Sequence, residues 1–115
     1  MEQEIFKIDS NILTVEVANS FFSRLRGLMF RQKLEIGHGL LIMPCNSVHM
    51  MFMRFAIDVI YLDKDYKILK IVRNLRPWLG LSMCLDARST LELNSGEARR
   101  LNLQVGQNLL KVGEN

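Results

Sequence analysis

Three ionisable side chains, His49, Arg54 and Asp58, stand inside the longest apolar stretch of this chain, CNSVHMMFMRFAIDVIYLD from Cys45 to Asp63. Charge in such surroundings costs several kcal/mol unless it is paired or hydrogen-bonded, so these residues are either structural glue or a site. Arg54 offers a planar fork that matches carboxylate or phosphate. His49 and the backbone after Pro44 are placed to orient a small anionic ligand, and Trp78, the only tryptophan, can supply an apolar wall. Glu92 and Arg26 are further partners for a buried polar cluster with Arg54 and Asp58. The candidate pocket is therefore Cys45, His49, Arg54, Asp58, Trp78, Glu92 and Arg26.

Other chemistries can be written on the same stretch. Cys45, His49 and Asp58 contain a nucleophile, a base and an orienting carboxylate, the three roles of a thiol hydrolase or acyl transferase. Such a triad is recognised by geometry, and against it Cys45 reads as a small buried hydrophobe. Cys45 and His49 could form half of a zinc site completed by Cys84 or His38, but structural zinc shows paired close ligands and these candidates are scattered singly. Met50, Met51 and Met53 are soft enough for copper, yet thioethers among aromatics are more often flexible core filler. Neither a metal nor a cofactor is expected. The reading favoured is a non-enzymatic module that binds a small anionic ligand or a protein partner, with a cysteine-dependent hydrolase or transferase using Cys45 and His49 as the alternative.

Composition narrows the class. At 115 residues the chain is one domain, large enough to bury about two-thirds of its unfolded surface without staples. A content of 49% hydrophobic and 23% charged residues excludes disorder. The net charge of +3, spread along the chain, is weak for a nucleic-acid module, so nucleic acid is not an expected partner. Arg54 and Asp58 interrupt the longest apolar run, so no membrane helix is expected. The opening MEQEIFKIDS lacks a basic segment followed by an apolar core, which points to the cytoplasm. In that compartment Cys45 and Cys84, 39 positions apart, are expected as free thiols.

The elements that must carry these residues are mostly short strands. Ile12 to Ala18 alternates apolar and polar residues with the two-residue period of a strand. Ser20 can cap a short amphipathic helix over 20–30, with Phe21, Phe22, Leu25, Leu28 and Met29 on one face. GLLIM after His38 is a buried strand ended by Pro44. A straight strand from His49 to Leu62 would set Arg54 and Asp58 about 13 Å apart at ~3.3 Å per residue, so a bend near 55–57 is predicted, bringing the two together. Asp63 to Tyr66 is a tight turn, Lys67 to Val72 its returning strand, and 74–87 a long connection around Pro77 and Gly80. Ser89 to Leu93 alternates, with Leu91 and Leu93 opposite Thr90 and Glu92. Asn94 to Gly96 turns into a short helical stretch, EARRL, and NLLKV is the last strand. The expectation is a β-rich α+β fold: an antiparallel sandwich, jelly roll or partly closed barrel of six or seven short strands with one short helix.

Four blocks of residues resemble a known family. RLRGLMFR (Arg24 to Arg31), GLLIMPCNSVHMMFMRFAIDVIYLD (Gly39 to Asp63), NLRPW (Asn74 to Trp78) and LELNSGEARRLNLQVGQ (Leu91 to Gln107) are similar, in order, to domain of unknown function 192, a bacterial and archaeal family. The resemblance implies a compact sandwich or jelly-roll domain with a small helix, and brings no activity, cofactor or catalytic residue. Ala56, Tyr66 and Gln107 depart from its usual proline, glycine and aspartate.

Overall fold

The computed structural model describes residues 2–20, 24, 28 and 34–112. Among them lie nine strands: β1 Glu2–Ile8, β2 Asn11–Ala18, β3 His38–Ile42, β4 Ser47–His49, β5 Ile57–Leu62, β6 Ile68–Leu75, β7 Leu81–Met83, β8 Ser89–Asn94 and β9 Leu110–Lys111. One helical turn, α1, spans Glu97–Arg100. Seven strands form one sheet in the order β6-β5-β8-β3-β2-β1-β9, and β4 with β7 forms a separate two-stranded ladder. The large sheet curls into a half-barrel. Its two edges meet at one end, where Lys67 bridges Asn108, Ile68 donates its N–H to the Gln107 carbonyl and Gly106 donates to that of Ile68.

Alternation along the strands builds two cores, one on each side of this sheet. Phe6, Ile8, Leu13, Val15, Val17, Leu41, Ile60, Leu62, Leu91 and Leu93 point to the inner side and pack with Ala98, Leu101 and Leu103 from around α1. Leu40, Ile42, Ile57, Val59 and Tyr61 point the other way, beneath Val48, Met50 and Met53 from the β4 region. A sheet covered on both faces has no polar side to show, which is why β5 and β8 are buried almost end to end.

The central apolar run does break before Asp58, but over a longer span than the bend expected near 55–57: β4 ends at His49, residues 50–56 turn, and β5 begins at Ile57. The turn needs a left-handed residue, Phe52 at φ 65°. Three further features differ from the expectation. β2 and β3 pair in parallel, from Thr14 opposite His38 to Ala18 opposite Ile42. β1 was not expected because its first half, EQEI, shows no alternation; it is held by its antiparallel partner β2. β7 lies inside the expected connection, where exposed Leu81 and Met83 mask a strand read by burial. The helix expected over 20–30 falls mostly outside the described residues.

Candidate functional site

Asp58 sits on the inner side of the sheet, 1% exposed, opposite Leu93 of β8. Its Oδ1 accepts the Asn74 N–H at 2.9 Å, and its Oδ2 accepts those of Gly96 at 3.0 Å and Ala98 at 2.9 Å. The β5–β6 register slips between Ile57 and Val59, so two residues of β6 face one of β5. Asn74, at φ 54°, lies in that bulge, and the carboxylate takes the amide that the ladder no longer pairs. The other two contacts satisfy N–H groups at the start of α1 and add a negative charge where the helix end favours one. Asp58 thus ties β5, β6 and α1 together.

Arg54 does not join it. Arg54 is exposed on the 50–56 turn, and no ion pair links it to Asp58. The expected neutralisation fails because backbone N–H groups compensate the carboxylate and water solvates the guanidinium. Glu92 is also separate from Asp58. It faces the outer side of the sheet between Leu40 and Val59, whereas Asp58 faces the inner side. The expected single cluster of Arg54, Asp58 and Glu92 is therefore divided by the sheet itself. Arg26 lies outside the described residues.

Glu92 is the unusual titratable group. It is almost fully buried, its Oε1 has no hydrogen-bond partner, and burial pushes its carboxyl pKa up from 4.5 to about 7. Tyr61, on the same face of neighbouring β5, is wholly buried, and burial pushes its hydroxyl pKa up. Ser82 of β7 lies beside that hydroxyl and pulls the pKa partly back, yet neither oxygen makes a hydrogen bond of good geometry. Cys45 and Cys84 are free, half-buried thiols packed against this second core. The Cys45 thiol donates to the Ser47 carbonyl at 3.1 Å, and Thr90 Oγ1 donates to the Cys45 carbonyl at 3.0 Å. No hydrogen bond joins Cys45 to His49, and Asp58 is across the sheet, so the three triad residues are not assembled.

His49 and Trp78 are exposed on the segments around the β4–β7 ladder. His49 pairs with Leu81 across the β4–β7 ladder, and its side chain is exposed. The Trp78 N–H donates to the Met50 carbonyl at 2.8 Å, and Met50 donates to that of Gly80 at 2.9 Å, so the 77–80 turn lies against the 50–53 turn. Phe52 and Trp78 pack edge to face with centroids 5.2 Å apart. Around them Met51, Leu79, Leu81, Met83 and Leu85 are exposed, Leu79 at 86% and Leu81 at 76%. Sequence reasoning took Met51 for core filler, whereas it is exposed, and missed the other four. The signal was present in LGLSMCL, where leucine and methionine alternate with small residues on the face that turned out to be the outer one.

The remaining surface carries an open depression of about 580 Å³ lined by Leu34, Glu35, Ile36, Phe55, Ala56 and Asn94. No group of three or more His, Cys, Asp or Glu side chains among the described residues is arranged to hold a metal ion. No helix among them is long and apolar enough to cross a membrane.

The model of one family, domain of unknown function 192, described as an "Uncharacterized ACR", matches residues 4–110. The chain belongs to this family. A UPF0127 protein of Thermococcus sibiricus is 32% identical over 100 residues, covering 83% of this chain and 64% of that protein. A UPF0127 protein of Pyrococcus furiosus is 31% identical over 102 residues, covering 84% and 85%. The chain thus spans just under two-thirds of the first relative's length. Among solved structures, a Sinorhizobium meliloti protein described as a candidate transcription regulator superposes with a TM-score of 0.87 at 25% identity, over 97% of this chain and 95% of its own. A Novosphingobium aromaticivorans protein of unknown function gives 0.82 at 23% identity, over 93% and 82%. Both share the half-barrel of this domain-192 chain.

Proposed function

We propose that this chain is a non-enzymatic accessory module that docks a protein partner on the outer face of the β4–β7 ladder. The observation that carries this reading is the concentration of exposed large apolar side chains, Met51, Phe52, Trp78, Leu79, Leu81, Met83 and Leu85, on the β4–β7 ladder and the turns flanking it, with exposed His49 and Arg54 on the same segments. A surface gains nothing by holding that many large apolar side chains in water, and apolar patches mark interaction sites. Trp78 seated on Phe52 is a pre-ordered aromatic anchor of the kind that dominates binding energy, and Arg54, unpaired at the edge, suits a polar rim. The candidate residues His49, Arg54 and Trp78 support docking better than enclosure of a small ligand, because all three lie on an outward surface. The cysteine-dependent alternative is not supported by the geometry of Cys45, whose thiol is turned to a backbone carbonyl.

In-cell photocrosslinking tests the proposal. A photoreactive residue at Leu79 or Leu81 should give a discrete adduct that Trp78→Ser abolishes, while the same residue at exposed Val105, far along the chain, should give none. Absence of an adduct at both ladder positions, or an equal adduct at Val105, refutes it.

A further inference from the structure

At the end of the sheet where β3 leaves it and β8 enters it lies a cavity of about 290 Å³. Its walls are apolar: Met43, Pro44 and the Tyr66 ring, which is held edge to face on Phe6 at 5.0 Å. Ser89 lines it from β8. This residue is 3% exposed, and its hydroxyl has no hydrogen-bond partner in the protein, a cost that a ligand group would remove. Arg88 and Lys64 also line the cavity, and neither is in an ion pair among the described residues.

Asp63 completes the set. Its Oδ1 accepts the N–H groups of Asp65 at 2.8 Å and Lys67 at 3.0 Å. These bonds hold its carboxyl below the usual range, so the group is ionised at neutral pH, while Oδ2 accepts nothing from the described residues. The cavity therefore gathers one fixed carboxylate and two cations, Lys64 already acting on Asp63, around an apolar wall with the unpaired Ser89 hydroxyl buried behind it.

We propose that this cavity binds a small apolar α-amino acid, its ammonium on Asp63, its carboxylate on Arg88 and Lys64, and its side chain against Met43, Pro44 and Tyr66. A plain anion would meet Arg88 and Lys64 but crowd a like charge against Asp63, and a plain cation would meet Asp63 but be repelled by Arg88 and Lys64. Only a ligand carrying both signs satisfies all three, and the volume suits a free amino acid rather than a nucleotide. The Ser89 hydroxyl donates to the ligand carboxylate. This site is separate from the proposed docking face, and either can fail without the other.

The test is an amide NMR titration of the full chain with L-leucine, with 4-methylpentanoate, which lacks the amine, and with 3-methylbutylamine, which lacks the carboxylate. L-leucine should give saturable shifts centred on Met43, Lys64, Tyr66 and Ser89, with a Kd at least about tenfold below either analogue. Ser89→Ala, which breaks no internal hydrogen bond, should stay folded and weaken binding by about three- to tenfold; Arg88→Met should weaken it by at least about tenfold. The proposal is overturned by the absence of saturable shifts with all three probes, by shifts centred elsewhere, by equal affinity for 4-methylpentanoate and L-leucine, or by wild-type affinity in both variants.

Discussion

Glu92→Gln should stabilise this domain at pH 8 and leave it nearly unchanged at pH 5. The folded carboxyl titrates at about 7 because it is buried without a counter-charge, whereas in the unfolded chain it titrates near 4.5. Below pH 4.5 both states hold the proton, and the acid costs no more than a buried amide. Between 4.5 and 7 the unfolded chain ionises and the folded one does not, so rising pH favours unfolding. Above 7 both are ionised and the penalty levels off, at roughly 3 kcal/mol for a gap of this size at about 1.4 kcal/mol per pH unit. In a domain of this length that corresponds to a melting-temperature gap between variant and wild type widening by about 10 °C from pH 5 to pH 8. Asp63 and Glu97 are shifted the opposite way, Asp63 by backbone N–H groups and Glu97 first by its hydrogen bond from Arg100. Both are present in each protein and cancel in the comparison. Calorimetry of the two proteins at pH 5, 6, 7 and 8 measures the gap directly. A gap that stays constant over this range would show that Glu92 is not a desolvated acid, and the account of the second core would have to be given up.

Asp58→Ala should cost about 2–4 kcal/mol in urea unfolding, because it strands the buried Ala98 N–H and two part-buried N–H groups at once; a loss under about 1 kcal/mol would contradict the clamp. Arg54→Met should change stability by no more than about 0.5 kcal/mol by the same measurement, since the exposed guanidinium holds nothing in place. Gly39→Ala should destabilise by about 1–3 kcal/mol, because the new methyl would lie 2.7 Å from Leu93 Cδ2 and 3.1 Å from the Glu92 carbonyl oxygen between paired strands. Leu79→Ser and Leu81→Ser, alone or together, should leave the melting temperature within a few degrees of wild type and raise solubility, as expected for side chains that bury nothing within the domain.

Local chemistry was legible and long-range compensation was not. The alternation of STLEL showed which residues of β8 share a face, and the turn chemistry of DKDY placed the β5–β6 hairpin, because both signals act over a few residues. The alternation could not show that both faces of β8 are covered, which is what turns Glu92 from a surface acid into a buried one. For Asp58, sequence reasoning recognised that a charge in apolar surroundings needs a partner, and it chose the nearest opposite charge. The partners are backbone amides of Asn74, Gly96 and Ala98, and no residue type announces those. β7 was missed for a related reason: a strand with its apolar side in water reads as an irregular connection. The parallel pairing of β2 with β3 joins residues more than twenty positions apart, which no local pattern encodes.

The half-barrel is closed at its seam by the Lys67–Asn108 bridge, three neighbouring backbone hydrogen bonds and a strand of only two residues. Apart from the two pairs that join β9 to β1, every junction of the large sheet is a ladder of four or more residue pairs. A zip fastened by so few teeth comes undone before the cloth tears: amides of Ile68, Gly106 and Leu109 should exchange with solvent through partial unfastening, while those of β5 and β8 wait for the whole domain to unfold. The C-terminal strand also pairs with β1, so anything that pulls on the tail transmits first to the N-terminal hairpin and to this seam, leaving the Asp58 clamp untouched.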